Sequence, residues 1–165
     1  YNQIICNPTD RITKNGDILI IDTGSTLNGY FCDFDRNFGF GNINQKSLDA
    51  YNKLWDATEK TLEIIKPGIS CKEVYESLSK NLFSSNVKSN VGRMGHGFGL
   101  QLTEPPSIMI DDNTILEKNM ILALEPSIEI ENGLILVHEE NVLITENGNR
   151  LLTTRTPKEL PVINV

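Results

Sequence analysis

Residues 18–38, which read ILIIDTGSTLNGYFCDFDRNF, predict two antiparallel strands joined by a tight turn. The apolar run Ile18 to Ile21 is typical of a buried strand. The dipeptide Asn28-Gly29 is a strong signal for a two-residue hairpin turn. A second strand is expected from Tyr30 to about Phe38. This hairpin is the part of the sequence from which the fold class and the candidate site both follow.

The hairpin places three aspartates on one face. With its loop centred on Asn28-Gly29, Asp22 lies opposite Asp35, and Asp33 lies opposite Gly24. Directly opposed and diagonal side chains share one face of a strand pair. Three clustered carboxylates repel one another, and burial raises carboxylate pKa values. A bound cation removes both costs, so the hairpin predicts a cation site.

The rest of the chain predicts helices and then further strands, an α+β pattern without a linker or repeat. Apolar residues at helical spacing predict a helix from Gln45 to Lys66, ended by Pro67-Gly68. Ser70 opens a capping box for a second helix. Strands are expected over about 95–103, 120–130 and 134–146, with Pro105-Pro106 as a break. We expect a single domain over residues 1–165.

Two glutamates and a histidine in the strand-rich half complete a candidate ligand set. If Glu131-Asn132-Gly133 forms a three-residue loop, Glu125 lies directly across from Glu139; a two-residue loop would put them on opposite faces. Glycines on both sides of His96 allow close backbone approach there.

Taken singly, each of these residues has an ordinary structural explanation. Four carboxylates and one imidazole together are the oxygen-rich set that binds a pair of divalent ions, able to activate water and polarise a carbonyl. We expect His138 to be structural and Cys32 to point into packing. Asp35 would either support the ligands or pair with Arg36, and Glu104 stays ambiguous.

Composition narrows the class of protein. The chain has 165 residues, 39% of them hydrophobic, with a net charge of −7 and no basic cluster, which argues against nucleic-acid binding. Three scattered cysteines without a CxxC pattern fit a reducing cytoplasm. We expect no membrane span and no signal peptide. The chain begins at Tyr1, and we expect an N-terminal piece to be missing.

The five positions, read in order from about Pro8 to Thr154, resemble the pita-bread metallopeptidases, which include methionine aminopeptidase, aminopeptidase P and prolidase. The eleven-residue step from Asp22 to Asp33 is that of the family. The strings GHGFGL, EPP and EENVLITENG are closest to the Xaa-Pro peptidases and creatinase-like proteins. The resemblance implies a curved antiparallel sheet covered by helices, N-terminally incomplete here.

The resemblance also implies roles. Asp22 would chelate one of two ions, Asp33 and Glu139 would bridge both, and His96 and Glu125 would bind the other. Glu125 would also help accept the proton of the nucleophilic water. Manganese is the expected metal, with zinc, cobalt or iron as alternatives. The expected partners are a short peptide or small amide and, by analogy, a second copy in a homodimer.

Thr103 departs from the family pattern. Prolidase-type sequences carry a histidine there, which assists substrate binding and proton transfer. Three hypotheses therefore stay open. They are an Xaa-Pro aminopeptidase or dipeptidase, a related hydrolase or lyase acting on a small non-peptide metabolite, and a non-catalytic protein-binding module. Retention of all five ligand positions favours an enzyme over a binding module.

Overall fold

The computed structural model describes residues 9–83, 92–131 and 133–164. The elements in chain order are β1 (Ile18–Leu27), β2 (Tyr30–Phe40), α1 (Gln45–Leu62), α2 (Cys71–Leu82), β3 (Gly95–Gly97), β4 (Glu104–Ser107), β5 (Ile121–Leu124), β6 (Ser127–Glu131), β7 (Leu134–Val137), β8 (Glu140–Ile144), β9 (Asn149–Leu151) and β10 (Val162–Ile163). The predictions for Cys6, Asn132 and the segment 84–90 lie outside the described residues.

The first hairpin has the predicted register. Asp22 pairs with Asp35 and Gly24 pairs with Asp33. The turn residues Asn28 and Gly29 have φ values of 53° and 85°, as a type I′ hairpin turn requires.

The prediction that Ile18 to Ile21 is a buried strand is wrong in part. Strand β1 continues to Leu27 and is an edge strand, because its sheet has the order β1-β2-β10. Ile18 and Ile20 pack against the core cluster formed with α1, whereas Ile21 is exposed. Alternation along the strand therefore carries the face of Ile18 and Ile20 onward to Asp22.

Helix α1 begins at the predicted residue but ends at Leu62, four residues before the predicted Lys66. The side-chain amide of Asn149 donates hydrogen bonds to the carbonyl oxygens of Leu62 and Ile65, at 2.6 and 2.9 Å. The free carbonyls at the helix end are thus satisfied by a distant side chain, which sequence periodicity cannot reveal.

Helix α2 begins as predicted. Ser70 is its N-cap, and the Glu73 carboxylate accepts a hydrogen bond from the Ser70 backbone N–H, which completes the capping box. The apolar face of α2, including Val74 and Leu78, packs with Leu122 and Leu124 of β5 in a fully buried cluster. The core therefore holds β5, which leads directly to Glu125.

The strand-rich half forms a five-stranded sheet of order β4-β3-β5-β8-β9 and a two-stranded ladder, β6-β7. The predicted strand 95–103 is limited to β3, and residues 104–107 form a strand despite Pro105-Pro106. Strand β4 lies at the sheet edge, where a missing proline N–H costs no ladder bond. The sequence prediction also missed β9 and β10.

The predicted strands 120–130 and 134–146 are each interrupted, the first at Glu125 and Pro126 and the second at His138 and Glu139. The register predicted for this hairpin is present on both sides of the interruption: Ser127 pairs with Val137, and Leu124 pairs with Glu140. Glu131 pairs with Leu134, and a bulge between Glu129 and Glu131 then restores the predicted register. The three-residue loop expected there is therefore wrong, although its register is right.

No helix among the described residues is long and apolar enough to cross a membrane.

Candidate metal centre

Two sheets meet at the candidate site. Strand β2 lies beside the ends of β7 and β8, since the Asn37 side chain donates a 2.8 Å hydrogen bond to the carbonyl of Val137. The first hairpin contributes Asp22, Asp33 and Asp35 from one face. Asp22 is exposed, Asp33 is partly buried and Asp35 is buried, so the acidic face runs from solvent into the protein.

The five-stranded sheet contributes the other three candidates. His96 pairs with Ala123, and Ala123 pairs with Asn141. Glu125 and Glu139 lie two residues from Ala123 and Asn141, so diagonal neighbours project from the same face as His96. Glu125 and Glu139 lie just outside the ladder of β5 and β8, which ends at the pair Leu124 and Glu140, and the Glu125 backbone N–H donates a 3.0 Å hydrogen bond to the Met94 carbonyl.

Ligand atoms of Asp33, His96 and Glu139 lie within 4.8 Å of one another. His96 Nε2 is 3.7 Å from Asp33 Oδ2 and 3.7 Å from Glu125 Oε1. These separations are too long for hydrogen bonds. They suit donors that share a cation, since Zn–N and Zn–O bonds of about 2.1 Å at tetrahedral angles separate two donors by roughly 3.4 Å.

The His96 ring is oriented by its own backbone. Nδ1 lies 2.8 Å from the carbonyl of Gly97; since that oxygen can only accept, Nδ1 donates, and Nε2 faces the carboxylates. Gly95 and Gly97 allow this close packing, as predicted. A Cβ atom on Gly95 would lie 2.4 Å from the Ala123 carbonyl oxygen, and one on Gly97 would lie 2.5 Å from that of Pro105.

The carboxylates of the site repel one another, and their pKa values are raised. Burial, and then the charges of Asp33, Asp35, Glu125 and Asp22, raise the pKa of Glu139 to about 9. Burial and the charge of Asp22 raise the pKa of Asp33, and they raise that of Asp35 well above its usual range. Burial also raises the pKa of Glu125, against the lowering effects of His96 and Arg93. Such a cluster is costly unless protons or cations neutralise it.

Unsatisfied oxygen atoms mark the same place. Asp35 Oδ1 and Glu139 Oε1 are buried and have no hydrogen-bond partner. Buried polar atoms rarely stay unpaired, and carboxylate oxygens with a histidine nitrogen are a normal ligand set for divalent manganese or zinc. The residues present therefore fit a metal centre.

Arg36 contacts the site through backbone oxygens. It does not form an ion pair with Asp35, which was one of the two expectations for Asp35. Its guanidinium donates to the backbone oxygens of Asp35 and Glu139, at 2.5 and 3.0 Å. It also lies 3.6 Å from the carboxylate of Glu140, which is fully buried and pairs with Arg155 at 2.9 Å. Arg36 thus joins the two strands that carry the ligands.

Sequence reasoning missed the Glu140–Arg155 pair, because its partners lie 15 residues apart with no local signal.

A cavity of about 940 Å³ opens onto the site. The residues lining it include Asp22, Asp33, His96 and Glu125, and also Thr103 and Arg93. Arg93 Nη2 and Nε lie 3.0 and 3.2 Å from Glu125 Oε1. Sequence reasoning missed Arg93 as well, because its contact with Glu125 joins residues 32 positions apart.

The remaining candidates lie away from the ligand cluster. His138 is fully buried, its ring packs edge-on against Tyr51, and burial lowers its pKa to about 3. The expectation that His138 is structural agrees with this environment. Cys32 is partly buried and free. Glu104 accepts a hydrogen bond from the backbone N–H of Gln101, which gives it a local structural role.

Comparison with known proteins identifies the family. The model of metallopeptidase family M24 matches residues 2–146. The chain belongs to this family. It is 33% identical over 154 residues to an Xaa-Pro dipeptidase of Pyrococcus furiosus, covering 92% of this chain and 44% of that protein. The chain thus spans less than half the length of such relatives of the M24 family.

Solved structures agree with the fold. A dipeptidase from Pyrococcus horikoshii superposes with a TM-score of 0.90 at 28% identity, over 98% of this chain and 46% of that one. A methionine aminopeptidase from Rickettsia prowazekii has a TM-score of 0.75 at 24% identity, over 89% of this chain and 68% of that one. The M24 chain described here therefore has the pita-bread fold, as predicted.

Proposed function

We propose that this chain is the metal-binding part of an Xaa-Pro aminopeptidase or dipeptidase that hydrolyses an amide bond with a metal-activated water. The observation that carries the proposal is the convergence of Asp33, His96 and Glu139, whose ligand atoms lie within 4.8 Å of one another, at a place where burial and neighbouring carboxylates raise the pKa of Glu139. The similarity to an Xaa-Pro dipeptidase supports the peptidase class.

In this proposal Asp22, Asp33, His96, Glu125 and Glu139 hold two divalent ions, with manganese expected and zinc, cobalt or iron as alternatives. The ions, when bound, supply a water of lowered pKa and a Lewis acid for the substrate carbonyl. Asp33 and Glu139 would be shared by both ions. His96 would bind one ion through Nε2, and Glu125 would help accept the proton of the nucleophilic water.

The cavity has the size of a small-molecule or short-peptide site. Thr23, Ser25 and Ser127 line it together with Phe31 and Leu102. Hydroxyls can hydrogen-bond a peptide backbone, while the apolar pair can contact a side chain or a proline ring. A short peptide therefore suits this cavity.

A small non-peptide amide is the second candidate, and Thr103 favours it. Thr103 lines the cavity where prolidase-like relatives would present a histidine. A threonine hydroxyl can hydrogen-bond a substrate but cannot act as an imidazolium acid. A substrate whose leaving group needs no such acid would be hydrolysed well by this site.

Hydrolysis assays with manganese-loaded protein separate the candidates. We expect cleavage of Ala-Pro or a longer Xaa-Pro peptide by the wild-type chain, and loss of at least about 100-fold in kcat in Glu125→Gln. Thr103→His should raise kcat/KM for the peptide. Cleavage of small amides alone would favour the second candidate. Failure on both classes at full metal loading would contradict the enzyme proposal and leave the binding module.

Two further expectations extend the proposal. A cytoplasmic location follows from the cysteine pattern, and a homodimer follows only by analogy with the family. Light scattering coupled to gel filtration measures the oligomeric state directly, and a mass near twice 18.5 kDa is expected for the dimer of this chain.

A further inference from the structure

Asp33 and Glu139 come from two strands that, among the described residues, are not paired in a ladder. Asp33 lies in β2, and Glu139 lies immediately before β8. The two strands belong to different sheets, of order β1-β2-β10 and β4-β3-β5-β8-β9. A ladder fixes the spacing of two strands through their backbones. Other contacts must therefore set the separation of these two carboxylates.

Two consecutive side chains of β2 make contacts across this boundary between the sheets. Arg36 Nη1 donates hydrogen bonds to the backbone oxygens of Glu139 and Asp35, at 3.0 and 2.5 Å. The Asn37 side chain donates a 2.8 Å hydrogen bond to the carbonyl of Val137. Successive side chains of a strand point to opposite faces. The backbone that carries Glu139 is therefore held from both faces of β2.

The guanidinium of Arg36 is itself fixed in place. Nη2 donates a 2.7 Å hydrogen bond to the carbonyl of Thr154 and lies 3.6 Å from the fully buried carboxylate of Glu140. Its planar group presents several donors at fixed angles, whereas a lysine has a single nitrogen atom on a flexible chain. A lysine at position 36 would keep the charge but could not make this set of contacts.

These contacts act against a repulsion between the two sheets. The charges of Asp33 and Asp35 on one side contribute to the raised pKa of Glu139 on the other. Like charges repel more strongly in a buried site than in water. Without a tie between the backbones, the metal-free carboxylates would move apart.

We propose that Arg36 is a positioning residue for the metal centre, because it fixes the separation of Asp33 and Glu139 by holding the backbone oxygens of Asp35 and Glu139 on one nitrogen atom. The inference rests on the proposed function, in which Asp33 and Glu139 are shared by both ions. Arg36 does not bind an ion. It keeps the two carboxylates in place before metal arrives, so that binding does not have to draw the sheets together.

Manganese binding by matched variants tests this inference. It is measured by isothermal titration calorimetry and by equilibrium dialysis with metal analysis. Arg36→Lys should weaken the affinity by about 10-fold or more, as loss of contacts that orient metal ligands commonly does. Asn37→Ser removes the other contact across the boundary and should act in the same direction. Arg11→Gln is the control, because Arg11 pairs with Asp17 elsewhere and its loss should leave the affinity unchanged.

A double-mutant cycle separates positioning from a general structural role. A residue that acts through Glu139 must lose its effect on metal binding when the Glu139 carboxylate is gone. In a Glu139→Gln background, Arg36→Lys should therefore change the remaining affinity by less than about 2-fold. A general loss of structure would lower the affinity by the same factor in both backgrounds. Thermal melting of metal-free protein checks that each variant is folded.

Each outcome decides the inference. Unchanged affinity in Arg36→Lys, or an equal loss in the two backgrounds, overturns it. A loss that requires Glu139 supports it even if no peptide is hydrolysed, so failure of the peptidase proposal is distinguishable. If Arg36→Lys does not fold, the same cycle with Asn37→Ser decides in its place. Absence of manganese binding in wild-type protein overturns the inference together with the metal centre.

Discussion

At the residue scale, Glu139 is where burial and charge conflict most strongly. Its side chain is nearly inaccessible, its Oε1 has no partner, and its pKa is raised from 4.5 to about 9. The folded chain therefore keeps a proton that the unfolded chain releases above pH 4.5. Stability from this proton is complete below about pH 4.5 and is lost as the pH rises toward 9.

We predict that the free energy of unfolding of metal-free protein falls as the pH rises from 7 to 8.5, above the range in which the buried, neutral His138 has the opposite effect. The slope from one such group is at most about 1.4 kcal/mol per pH unit. Glu139→Gln should flatten the slope and be more stable than wild type at pH 8, as measured by urea unfolding with chelator present. Saturating manganese should stabilise the wild-type chain at pH 8, because the ion replaces the proton.

Glu146→Gln is the control for this measurement. Glu146 is exposed and pairs with Lys118 on the surface, so its substitution should leave the wild-type slope in place. The explanation fails if Glu139→Gln shows the same pH slope as wild type. Asp33, Asp35 and Glu125 also have raised pKa values and account for any slope that remains.

At this scale, sequence alone could supply the candidate ligands but not their neighbours. Asp22, Asp33 and Asp35 could be placed on one face because a two-residue turn fixes the register. Arg93 and Glu140 could not be placed. Their roles depend on distances between segments far apart in the chain, for which no local pattern exists.

At the scale of elements, the position of His96 depends on how closely β3 approaches β4. The Gly97 position has no room for a side chain: a Cβ atom there would meet the Pro105 carbonyl at 2.5 Å and the Glu104 carbonyl oxygen at 3.0 Å. Both neighbours are backbone and cannot rotate away. The spacing of these two strands is therefore set by a glycine.

We predict that Gly97→Ala lowers stability by about 1–3 kcal/mol, as overpacking commonly does, and weakens manganese binding by at least about 10-fold. The physical reason is that β3 must move and takes the His96 ring with it. Calorimetric titration measures the binding, and urea unfolding measures the stability.

Gly148→Ala provides the matched control, because a Cβ atom there would meet nothing within 4 Å. It should change neither quantity by a measurable amount. If Gly97→Ala binds manganese as tightly as Gly148→Ala does, the close approach of β3 and β4 does not position His96.

Element boundaries were predictable where the chain carries its own signal and not elsewhere. The Ser70 capping box fixed the start of α2, and Asn28-Gly29 fixed the first hairpin. The end of α1 escaped prediction because Asn149, distant in sequence, satisfies its last carbonyls. The register of the second hairpin was right although its turn was wrong, because a bulge supplies the extra residue.

At the scale of the whole molecule, the segment that follows β9 connects α1 to the site. Arg155 lies over the Trp55 ring, 4.7 Å from its centroid, and pairs with the fully buried Glu140 beside Glu139. The Trp55 side chain donates a 2.8 Å hydrogen bond to the carbonyl of Thr156. These contacts connect α1, the C-terminal segment and β8, which begins next to Glu139.

We predict that Arg155→Gln destabilises the chain by about 3 kcal/mol, because the buried Glu140 carboxylate loses its closest cation. The hydrogen bonds from Thr153 and the Thr156 backbone and the 3.6 Å contact to Arg36 remain. Lys158→Gln in the same segment should cost less than about 0.5 kcal/mol, since Lys158 is exposed and 4.0 Å from Asp56. Urea unfolding measures both, and equal losses would contradict the importance assigned to the buried pair.

The fold class could be predicted from sequence because hairpin turns, helix periodicity and ligand spacing agree with one another. The site as a three-dimensional object could not. Its depth and the raised pKa values arise from packing β2 against β8, which brings together residues about 100 positions apart. The contact between Arg93 and Glu125 arises from the pairing of β3 with β5.

The measurement that tests the central claim most directly is the metal content of the chain at saturating manganese, compared between wild type and Asp33→Ala. Asp33 lies between both halves of the ligand set, so its loss should reduce the binding of both ions. The account predicts about two ions per wild-type chain and fewer than one in Asp33→Ala, with exposed Asp10→Ala unchanged. A wild-type chain that binds no manganese, zinc or iron, or an Asp33→Ala variant that binds as much as wild type, would contradict it.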